Sequence, residues 1–590
     1  EDDIKKLENK FRTYYSRILF FSFLTKVNVA SLDDIIRCVD SGENARIASN
    51  LGIYKNFLEL MRGHMNIFIL RQLDYKIQNI NTLAHDETVE PMQRATVAIR
   101  KFGRISDSEI TTPENVATDM INLIPDDCFY ALHDSEDIRI LDIASKMGEF
   151  AVAVLKRCEA LGITLDEIKD KILSIPTSSI AYEFTRKVYE VLGLDTGAIA
   201  EQFNSYDILK MKEIKEDGSE GDKLDYEKIK NLLSQKKDFA DISLDADISG
   251  VTEVNKVNFN AVVGNPPYQE ADGGASASAR PIYPYFVDAS KRLSALYSTI
   301  IMPSRWYTGG KHLNEFRQAM LDDIHIRELH DCLHPEEIFP DTNNRGGLCY
   351  FLWDSSYDNE SDNRMRVVTH KGGGETIESI RFMKTRDLDI FVRNSAALSI
   401  LNKVVPEGTT ETMAKYISSR KPFGIESNIV KSADWHTSKT GLENPVKCYG
   451  KRMQLGYVER DLIRSNSDKI NEWKIYTPRA NNIGTELNDD NLNTYLGEPG
   501  TICTEAYIAI GFDLNLTKSK AENLMKYFNT KFVRYMHAIA KASHDAPKTT
   551  YRFVPVVDFN EEWTDEKLYT HFKLTEEEIN LIETSIKPMA

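Results

Sequence analysis

The sequence predicts an α/β protein with a central doubly wound parallel sheet, a helical domain before it and an α+β domain after it. Three observations lead to this prediction. Residues 1–100 carry apolar side chains at helical spacing, with few glycines. After Ser108 strands alternate with helices, as in parallel sheets that helices cover on both faces. From about residue 400 the composition is mixed and rich in turns, up to an acidic helix at 575–586.

Five short apolar runs of the central region are predicted to be buried strands. They are 138–142, 179–183, 258–264, 297–303 and 347–352. Gly148–Leu161 is predicted as the helix after the first strand, and the charged stretch 211–256 as a surface insertion. The stretch 271–279, rich in Gly, Ser and Ala, is predicted to be a mobile loop. The expected domains are 1–100, 101–395 and 396–590.

The bulk composition excludes several classes of protein. A chain of 590 residues is too long for one hydrophobic core, and 42% hydrophobic with 28% charged residues is ordinary for globular domains. The longest apolar stretch, Ile18–Leu24, is far shorter than the roughly 20 residues of a membrane helix. Seven scattered cysteines without a Cys-x-x-Cys pair argue against a zinc site and a disulfide framework. We therefore expect a cytoplasmic protein with no bound metal.

The tetrapeptide Asn265-Pro266-Pro267-Tyr268 is the strongest chemical signal, and it directly follows the predicted strand 258–264. The Asn265 side-chain oxygen and the Pro266 carbonyl, which the prolines hold in place, can accept the hydrogens of an exocyclic amine and keep its nitrogen nucleophilic. Tyr268 offers a face on which an extruded base can stack. A bare Asn-Pro-Pro is more often a plain turn, but the strand before it and the aromatic after it favour catalysis.

Cofactor contacts are predicted from acids at the ends of strands. Asp142 ends the first strand, and Gly148 opens the next helix, whose N-terminus can bind a carboxylate. Glu183 ends the second predicted strand and is placed to accept ribose hydroxyls, and Asp207 to accept from an adenine amine. Each acid alone is more often a helix cap. Their order along the chain favours a binding site.

In this order the motifs resemble those of the γ-class amino-methyltransferases of bacterial restriction-modification systems. In that family the cofactor motifs precede the catalytic tetrapeptide, and a DNA target-recognition domain follows at the C-terminus. The resemblance covers about residues 100–590, and Thr111–Val116 and Asp142–Phe150 match the first two motifs. It implies a Rossmann-like methyltransferase sheet and S-adenosylmethionine as the cofactor. The cofactor contacts it implies are Thr112, Pro113, Asp142, Ala144, Gly148, Phe150, Glu183, Asp207 and Asn265.

The function implied by the resemblance is sequence-specific N6 methylation of adenine, flipped out of double-stranded DNA, in a restriction-modification or phage-defence system. The chain departs from the family at Lys146, where the first glycine of a Gly-x-Gly turn is common. This lysine must point away from the cofactor or contact its carboxylate. Because the chain opens with Glu1 rather than Met, we expect a restriction or helicase part upstream or in another chain.

A DNA-facing surface is predicted in the C-terminal domain, although the formal net charge of the chain is −17. Between residues 516 and 552 eight Lys and Arg stand against two acids, with aromatic residues interleaved. A solvated helix face is an equally good interpretation of the charge alone. The candidates for DNA contact are Lys541, His544, Lys548 and Arg552.

Three alternatives stay open. Cytosine N4 could be the methylated amine, although Ser rather than Asn at the first motif position would fit it better. Asn-Pro-Pro-Tyr also serves enzymes that methylate RNA bases or a protein glutamine, which seldom need some 190 residues of basic, aromatic C-terminal domain. The third alternative is a DNA-recognition subunit with weak or no catalysis, suggested by Lys146 in the glycine turn.

Overall fold

The chain forms two compact units in a computed structural model. Unit 1 comprises residues 1–303 and 324–380, and unit 2 comprises residues 304–323 and 381–590. The structure describes residues 2–106, 109–215, 217–236, 239–246, 248, 255–270, 280–309, 312–340, 342, 344, 346–361, 364–385, 388–484, 489–541 and 544–589, with side chains from residue 11 onward.

Six helices form the N-terminal part of unit 1, which confirms the predicted helical region. They are α1 (Asp2–Leu24), α2 (Leu32–Cys38), α3 (Gly42–Leu51), α4 (Lys55–His64), α5 (Ile67–His85) and α6 (Pro91–Lys101). Local signals start several of them: the Ser31 side chain caps α2 and the Asn66 side chain caps α5. Apolar side chains such as Phe21, Ile35 and Leu73 are fully buried between the helices.

The chain then alternates strands and helices. The elements are α7 (Glu114–Asn122), α8 (Asp126–Asp134), β1 (Ile138–Ser145), α9 (Glu149–Ala160), α10 (Leu165–Ile168), β2 (Ile172–Pro176), α11 (Ser179–Leu192), α12 (Ser205–Ile208), β3 (Lys212–Ile214), β4 (Glu220–Leu224), α13 (Tyr226–Leu233), β5 (Asn258–Gly264), α14 (Tyr283–Leu293), β6 (Ser294–Pro303), α15 (Asn314–Leu321), β7 (Ile326–Cys332), α16 (Pro335–Ile338), β8 (Leu348–Asp354), β9 (Met365–Gly372) and β10 (Glu375–Arg381). Of these, α15 belongs to unit 2.

Eight of these strands form one sheet in the order β10-β9-β7-β8-β6-β5-β1-β2. Strand β8 runs antiparallel to its neighbours β6 and β7, whereas β2, β1, β5 and β6 are mutually parallel, as are β7 and β9. The predicted α/β class with a large, mostly parallel sheet is therefore confirmed, with one antiparallel strand inside it. The carboxyl ends of β1, β2, β5, β7 and β9 lie along the same edge of the sheet.

Two strand predictions need correction. The first strand runs on past Asp142 to Ser145, so Asp142 lies inside β1, paired with Ser174 of β2 and Val263 of β5. The segment 179–183 is not a strand but the first turns of α11, which the side chain of Ser178 caps by accepting the N–H of Ala181. The strand in this part of the chain is β2, which ends at Pro176.

The charged stretch 211–256 is more structured than a plain surface insertion. Strands β3 and β4 form an antiparallel hairpin, and helix α13 buries Ile229, Leu232 and Leu233. The Tyr226 hydroxyl donates to Asp288 in α14 at 3.0 Å, which ties this insertion to the helix that follows β5. The predicted mobile loop at 271–279 lies outside the described residues.

Unit 2 contains α15 and the elements after residue 381. These are α17 (Ala397–Val404), β11 (Pro445–Gly450), β12 (Gln454–Glu459), β13 (Lys474–Pro478), β14 (Tyr495–Gly497), β15 (Thr501–Cys503), β16 (Tyr507–Ile510), α18 (Lys518–Phe528), α19 (Lys531–Ile539), α20 (Asp565–His571) and α21 (Glu576–Ser585). Two small sheets, β12-β11-β15 and β14-β13-β16, each contribute to an apolar core. The acidic helix predicted at the C-terminus is α21, whose N-cap is Thr575.

Two further properties concern the whole described chain. None of its described helices combines the length and the apolar character that crossing a bilayer requires. All seven cysteines are free thiols, and six of them are buried.

Candidate active site at the carboxyl edge of the sheet

The order of the strands brings two sequence-predicted segments together. After β1 the chain moves outward to β2 and later returns on the other side of β1 as β5. A change of direction of this kind leaves a crevice at the carboxyl ends of the two central strands, where ligands bind in open α/β sheets. The turn after β1 and the tetrapeptide after β5 both lie at this crevice, so the predicted catalytic and cofactor segments are neighbours.

The tetrapeptide leaves β5 without entering another regular element, and its first three residues are buried. The Asn265 side-chain amide donates to the Ile110 carbonyl at 3.4 Å, and its oxygen has no hydrogen-bond partner among the described residues. Gly264 allows the close approach of β5 and β1, because a Cβ there would lie 3.1 Å from Ile143 Cγ2. The Asn265 oxygen is therefore left available as an acceptor.

Tyr268 is half-buried, and its hydroxyl is buried without a hydrogen-bond partner in the described structure. Its ring meets Tyr283 edge to face, with centroids 6.3 Å apart. Burial raises the pKa of the Tyr268 hydroxyl well above its usual value. The hydroxyl is therefore unsuited to act as a base, and the ring is the functional part of this side chain. A paired backbone segment follows it, with Gln269 bridged to Pro281.

The turn between β1 and α9 is built around Gly148. Its φ of +74° lies in the left-handed region that favours glycine, and its N–H donates to the Ser145 hydroxyl at 3.1 Å. Ala144 and Phe150 on either side of the turn are fully buried. Gly148 is the N-cap of α9, as predicted from the sequence, so the N-terminus of a 12-residue helix points to the crevice.

Lys146 lies in this turn and neither points away from the crevice nor reaches solvent. Its side chain is 3% exposed, and Nζ donates to the backbone carbonyl of Asn265 at 2.5 Å. Burial lowers the pKa of the ammonium group, and the nearby carboxylates of Glu149 and Asp142 oppose this effect. The residue that replaces the expected glycine thus connects the turn directly to the catalytic tetrapeptide.

Asp142 and Glu149 are the acids closest to Lys146. Burial raises the pKa of Asp142 to about 8, and the charge of Glu149 contributes to the rise. One Asp142 oxygen accepts the Ala144 N–H at 3.1 Å, and the other is buried without a partner within the described ranges. Glu149 accepts the N–H of Met147 at 2.9 Å and, more weakly, that of Thr112 at 3.4 Å. Glu149 therefore joins the turn to the segment before α7, a role that its sequence position does not reveal.

The segment before α7 has the features expected of a ligand-binding wall. Thr112 is fully buried, and Pro113 is the N-cap of α7. The hydroxyls of Thr111 and Thr112 have no hydrogen-bond partner among the residues described. Buried polar atoms without partners are rare in native proteins and call for a bound ligand or water. With Asp142 they make this end of the crevice suitable for a polar cofactor.

Glu183 does not lie where the sequence analysis put it. It is inside α11 rather than at the end of a strand, and it is 2% exposed. One carboxylate oxygen accepts hydrogen bonds from Arg46 and Asn50 of α3, both at 2.5 Å. Burial raises its pKa, against the nearby charge of Arg46. This carboxylate holds the N-terminal helices to α11, and the end of β2 has no acid of its own.

Asp207 lies in the short helix α12 and forms its capping box, because one oxygen accepts the Asn204 N–H at 2.9 Å. The other oxygen is paired with Lys210 at 2.7 Å. The Ser205 hydroxyl holds this helix at the sheet edge by donating to the Ile143 carbonyl at 2.9 Å. Asp207 is thus near the ends of β1 and β2, while its adenine contact stays a prediction.

The basic stretch of unit 2 is mainly structural. The aromatic side chains interleaved in it are buried in a core of unit 2. These are Tyr527, Phe528, Phe532 and Tyr535. Lys541 donates to the carbonyls of Asn481 and Ile483, and Arg552 pairs with Asp389. Of the four DNA-contact candidates, His544 is half-buried and Lys548 alone is exposed.

A cavity of about 240 Å³ opens further along the same edge of the sheet in unit 1. It lies at the carboxyl ends of β7 and β9, and Cys332, Tyr350 and His370 are among its lining residues. The Tyr268 hydroxyl is close enough to Cys349 and Cys332 to be affected by their charge. Cys332 therefore lies both at this cavity and near the Tyr268 hydroxyl.

Comparison with known proteins places this site within a family. Residues 146–339, a third of the chain, match the family model described as Eco57I restriction-modification methylase. The match begins at Lys146 and contains the tetrapeptide. This segment is similar to restriction-modification methylases. The matched segment therefore includes the turn before α9. Of the eight-stranded sheet it contains β2, β5, β6 and β7.

The relatives of the matched segment are distant. An "uncharacterized adenine-specific methylase" of Mycoplasma pneumoniae is 26% identical over 155 residues, which are 26% of this chain and 36% of that protein. The chain thus matches about a third of the length of that relative. The type IIG restriction endonuclease BpuSI aligns over 97% of this chain and 72% of its own, at 11% identity and a TM-score of 0.37. A type I restriction-modification methyltransferase subunit from Streptococcus thermophilus aligns over 67% of this chain and 88% of its own, at 13% identity and a TM-score of 0.34.

Proposed function

We propose that the chain transfers a methyl group from S-adenosylmethionine to N6 of adenine in double-stranded DNA, as the modification part of a restriction-modification system. The observation that carries the proposal is the side-chain oxygen of Asn265, which accepts no hydrogen bond from the described residues and lies at the carboxyl end of β5, beside the turn after β1. An amine methyltransferase needs this acceptor next to its cofactor. Its place inside the matched segment supports the proposal.

The roles of the residues follow from their chemistry. The amino nitrogen of adenine is a poor nucleophile because its lone pair is delocalised into the ring. The Asn265 oxygen and the Pro266 carbonyl would each accept one amino hydrogen and favour a pyramidal nitrogen. Pro267 would fix the direction of the Pro266 carbonyl, because it restricts the conformation of the preceding residue. When bound, the cofactor supplies an electrophilic methyl group.

The base would be extruded from the duplex, because a paired base cannot reach the crevice. The half-buried ring of Tyr268 would stack on it, and the cavity lined by Cys332 and Tyr350 lies along the same edge of the sheet. The other end of the crevice, with the unpaired hydroxyls of Thr111 and Thr112 and the N-terminus of α9, would hold the polar end of the cofactor.

The test compares Asn265→Ala with Asn258→Ala. Asn258 is exposed at the opposite end of β5, so it is a matched control for the same substitution in the same strand. We expect Asn265→Ala to retain the fold and cofactor binding but to lose methyl transfer to DNA by at least about 100-fold, as when a key acceptor or donor in an active site is removed. Asn258→Ala should methylate normally. Normal methylation by Asn265→Ala would refute the proposal.

The substrate is tested with the unmodified protein. Methyl incorporation is measured into duplex DNA, RNA and a glutamine-containing protein, and the modified base is then identified. The proposal requires incorporation into duplex DNA with N6-methyladenine as the product. N4-methylcytosine as the product, or transfer to RNA or protein instead, would contradict it.

A second candidate function is a DNA-recognition subunit with weak or no catalysis. Lys146 favours it, because its side chain occupies the crevice against the Asn265 carbonyl, where the family commonly has glycine. Calorimetry with S-adenosylmethionine separates the two candidates. Binding supports the methyltransferase, and its complete absence supports the recognition subunit.

A further inference from the structure

The end of β2 poses a specific problem for cofactor binding. A carboxylate at the end of the second strand is the usual partner of ribose hydroxyls in sheets of this type. Here β2 ends at Pro176 and is followed by Thr177 and Ser178, neither of which is acidic. Glu183, the acid nearest in sequence, is bound to Arg46 and Asn50 of α3. A ribose at this place would need a carboxylate from another segment.

Glu109 brings a carboxylate to this place. It lies before α7, 68 residues before Thr177, and one of its oxygens accepts the Thr177 hydroxyl at 2.6 Å. The Thr177 N–H in turn donates to the Ser145 carbonyl at 3.0 Å, so the carboxylate lies where β1 and β2 end side by side. Its other oxygen accepts the Ser106 hydroxyl at 2.9 Å. Glu109 is 8% exposed and is held from both sides.

The surroundings of Glu109 place it between the two ends of the expected cofactor. Its charge opposes the lowering of the pKa of Lys146 in the turn after β1. That turn is at the end of the crevice assigned to the amino-acid part of the cofactor. It also contributes to the raised pKa of Tyr206 in α12, at the end of the crevice assigned to the adenine of the cofactor. The ribose lies between these two parts in S-adenosylmethionine. Glu109 is therefore close both to the turn after β1 and to α12, where a ribose ligand is expected.

We propose that Glu109, rather than Glu183, is the carboxylate that accepts the ribose hydroxyls of S-adenosylmethionine. This inference rests on the proposed function. Two carboxylate oxygens offer about four acceptor positions, and the Ser106 and Thr177 hydroxyls use only two of them. The remaining two match the two adjacent hydroxyls of a ribose. Binding through them would need no movement of the backbone.

The experiment measures equilibrium binding of S-adenosylmethionine and of its 2′-deoxyribose analogue by calorimetry. The proteins are the unmodified chain, Glu109→Gln and Glu183→Gln. We expect the unmodified chain to prefer the ribose form, and Glu109→Gln to bind the ribose form about 10- to 100-fold more weakly and to lose most of that preference. Glu183→Gln should keep both the affinity and the preference, because its carboxylate is engaged away from the crevice.

A second variant guards against misfolding of Glu109→Gln. Thr177→Val leaves the charge of Glu109 in place but removes the hydroxyl that orients it, and we expect a smaller loss of the ribose preference. An unchanged preference in both Glu109→Gln and Thr177→Val would overturn the inference and leave the proposed function intact. A lost preference in Glu183→Gln would overturn it in favour of Glu183. Failure of the unmodified chain to bind S-adenosylmethionine would overturn both the inference and the proposed function.

Discussion

Replacing Lys146 by Met and Asp142 by Asn should change the pH dependence of stability in opposite directions. Both side chains are buried in the turn after β1, and burial favours the neutral form of each. We expect the pair to hold one proton in the folded protein, because burial favours the neutral form of both side chains. Near neutral pH the unfolded chain also holds one, on the lysine. The intact pair therefore contributes no slope to the free energy of unfolding.

Each single substitution removes one titrating group of the pair and leaves the other. In Lys146→Met the pKa of Asp142 remains raised from its usual 3.8 to about 8 or above. Such a group contributes stability below pH 3.8 that is lost as pH rises through the folded pKa. The folded chain then holds one proton more than the unfolded chain, so the free energy of unfolding should fall by up to about 1.4 kcal/mol per pH unit, relative to the unmodified protein.

Asp142→Asn leaves Lys146, whose pKa is lowered by burial. A lysine of this kind contributes stability above its unfolded pKa that is lost as pH falls through its folded pKa. The free energy of unfolding should therefore rise with pH, with the same limiting slope and the opposite sign. The charges of Glu149 and Glu109 oppose the lowering of the Lys146 pKa.

The assay is urea unfolding of the full chain between pH 5 and pH 7.5, followed by circular dichroism. Lys169→Met is the control, because this lysine is half-exposed in unit 1 and carries no comparable burial. Differences from the unmodified protein cancel the titration of all other groups. Parallel curves for Lys146→Met, Asp142→Asn and the unmodified chain would refute the idea that the two buried groups share a proton.

Three further predictions concern other parts of the site and of unit 2. Gly148→Ala and Gly162→Ala each place a side chain on a residue in the left-handed region (φ +74° and +78°), and each should lower the free energy of unfolding, measured with urea, by about 1–2 kcal/mol. Only Gly148→Ala should also weaken cofactor binding in calorimetry. Tyr268→Phe removes a buried hydroxyl without a partner in the described structure and should raise thermal stability slightly while keeping methyl transfer, and Tyr268→Ala should lose transfer. Lys548→Gln should weaken DNA binding and reduce its salt dependence without lowering the melting temperature, whereas Arg552→Gln should lower the melting temperature because it breaks the pair with Asp389.

The tetrapeptide and the turn before α9 were predictable because their signals are local. An apolar strand followed directly by Asn265-Pro266-Pro267-Tyr268 leaves few other structures for the chain to adopt. Gly148 marks a helix start in the same local way. The resemblance to a known family then fixed the order of the motifs. The positions along the sheet edge followed from the topology of parallel α/β sheets.

The error at Glu183 also has a local cause. The run 179–183 contains adjacent apolar residues, and so short a run fits a strand and a buried helix equally well. The decisive signals were the N-cap at Ser178 and the continuation of apolar residues at helical spacing to Val188 and Leu192. The strand before it, at 172–176, is also only five residues long and ends in proline, so its pattern was weaker.

The contacts of Glu109 could not be predicted, because they join segments far apart in the sequence. Its bond to Thr177 spans 68 residues and exists only once β1 and β2 pair. The surroundings of the basic stretch of unit 2 could not be predicted for a similar reason. A count of charges does not show that Lys531 pairs with Glu583 or that Arg534 is buried against backbone carbonyls, since both depend on tertiary packing.

The proton shared by Lys146 and Asp142 bears on how a lysine can replace glycine in this turn. A permanently charged ammonium group in the crevice would repel the cationic sulfur centre of S-adenosylmethionine. Burial favours the neutral amine, and the neutral form can still donate to the Asn265 carbonyl. Lys146 would then contribute a hydrogen bond to the catalytic segment without adding positive charge to the site. On this reasoning cofactor affinity should be higher when Lys146 is neutral than when it is protonated, and Lys146→Met should abolish that pH dependence in calorimetry.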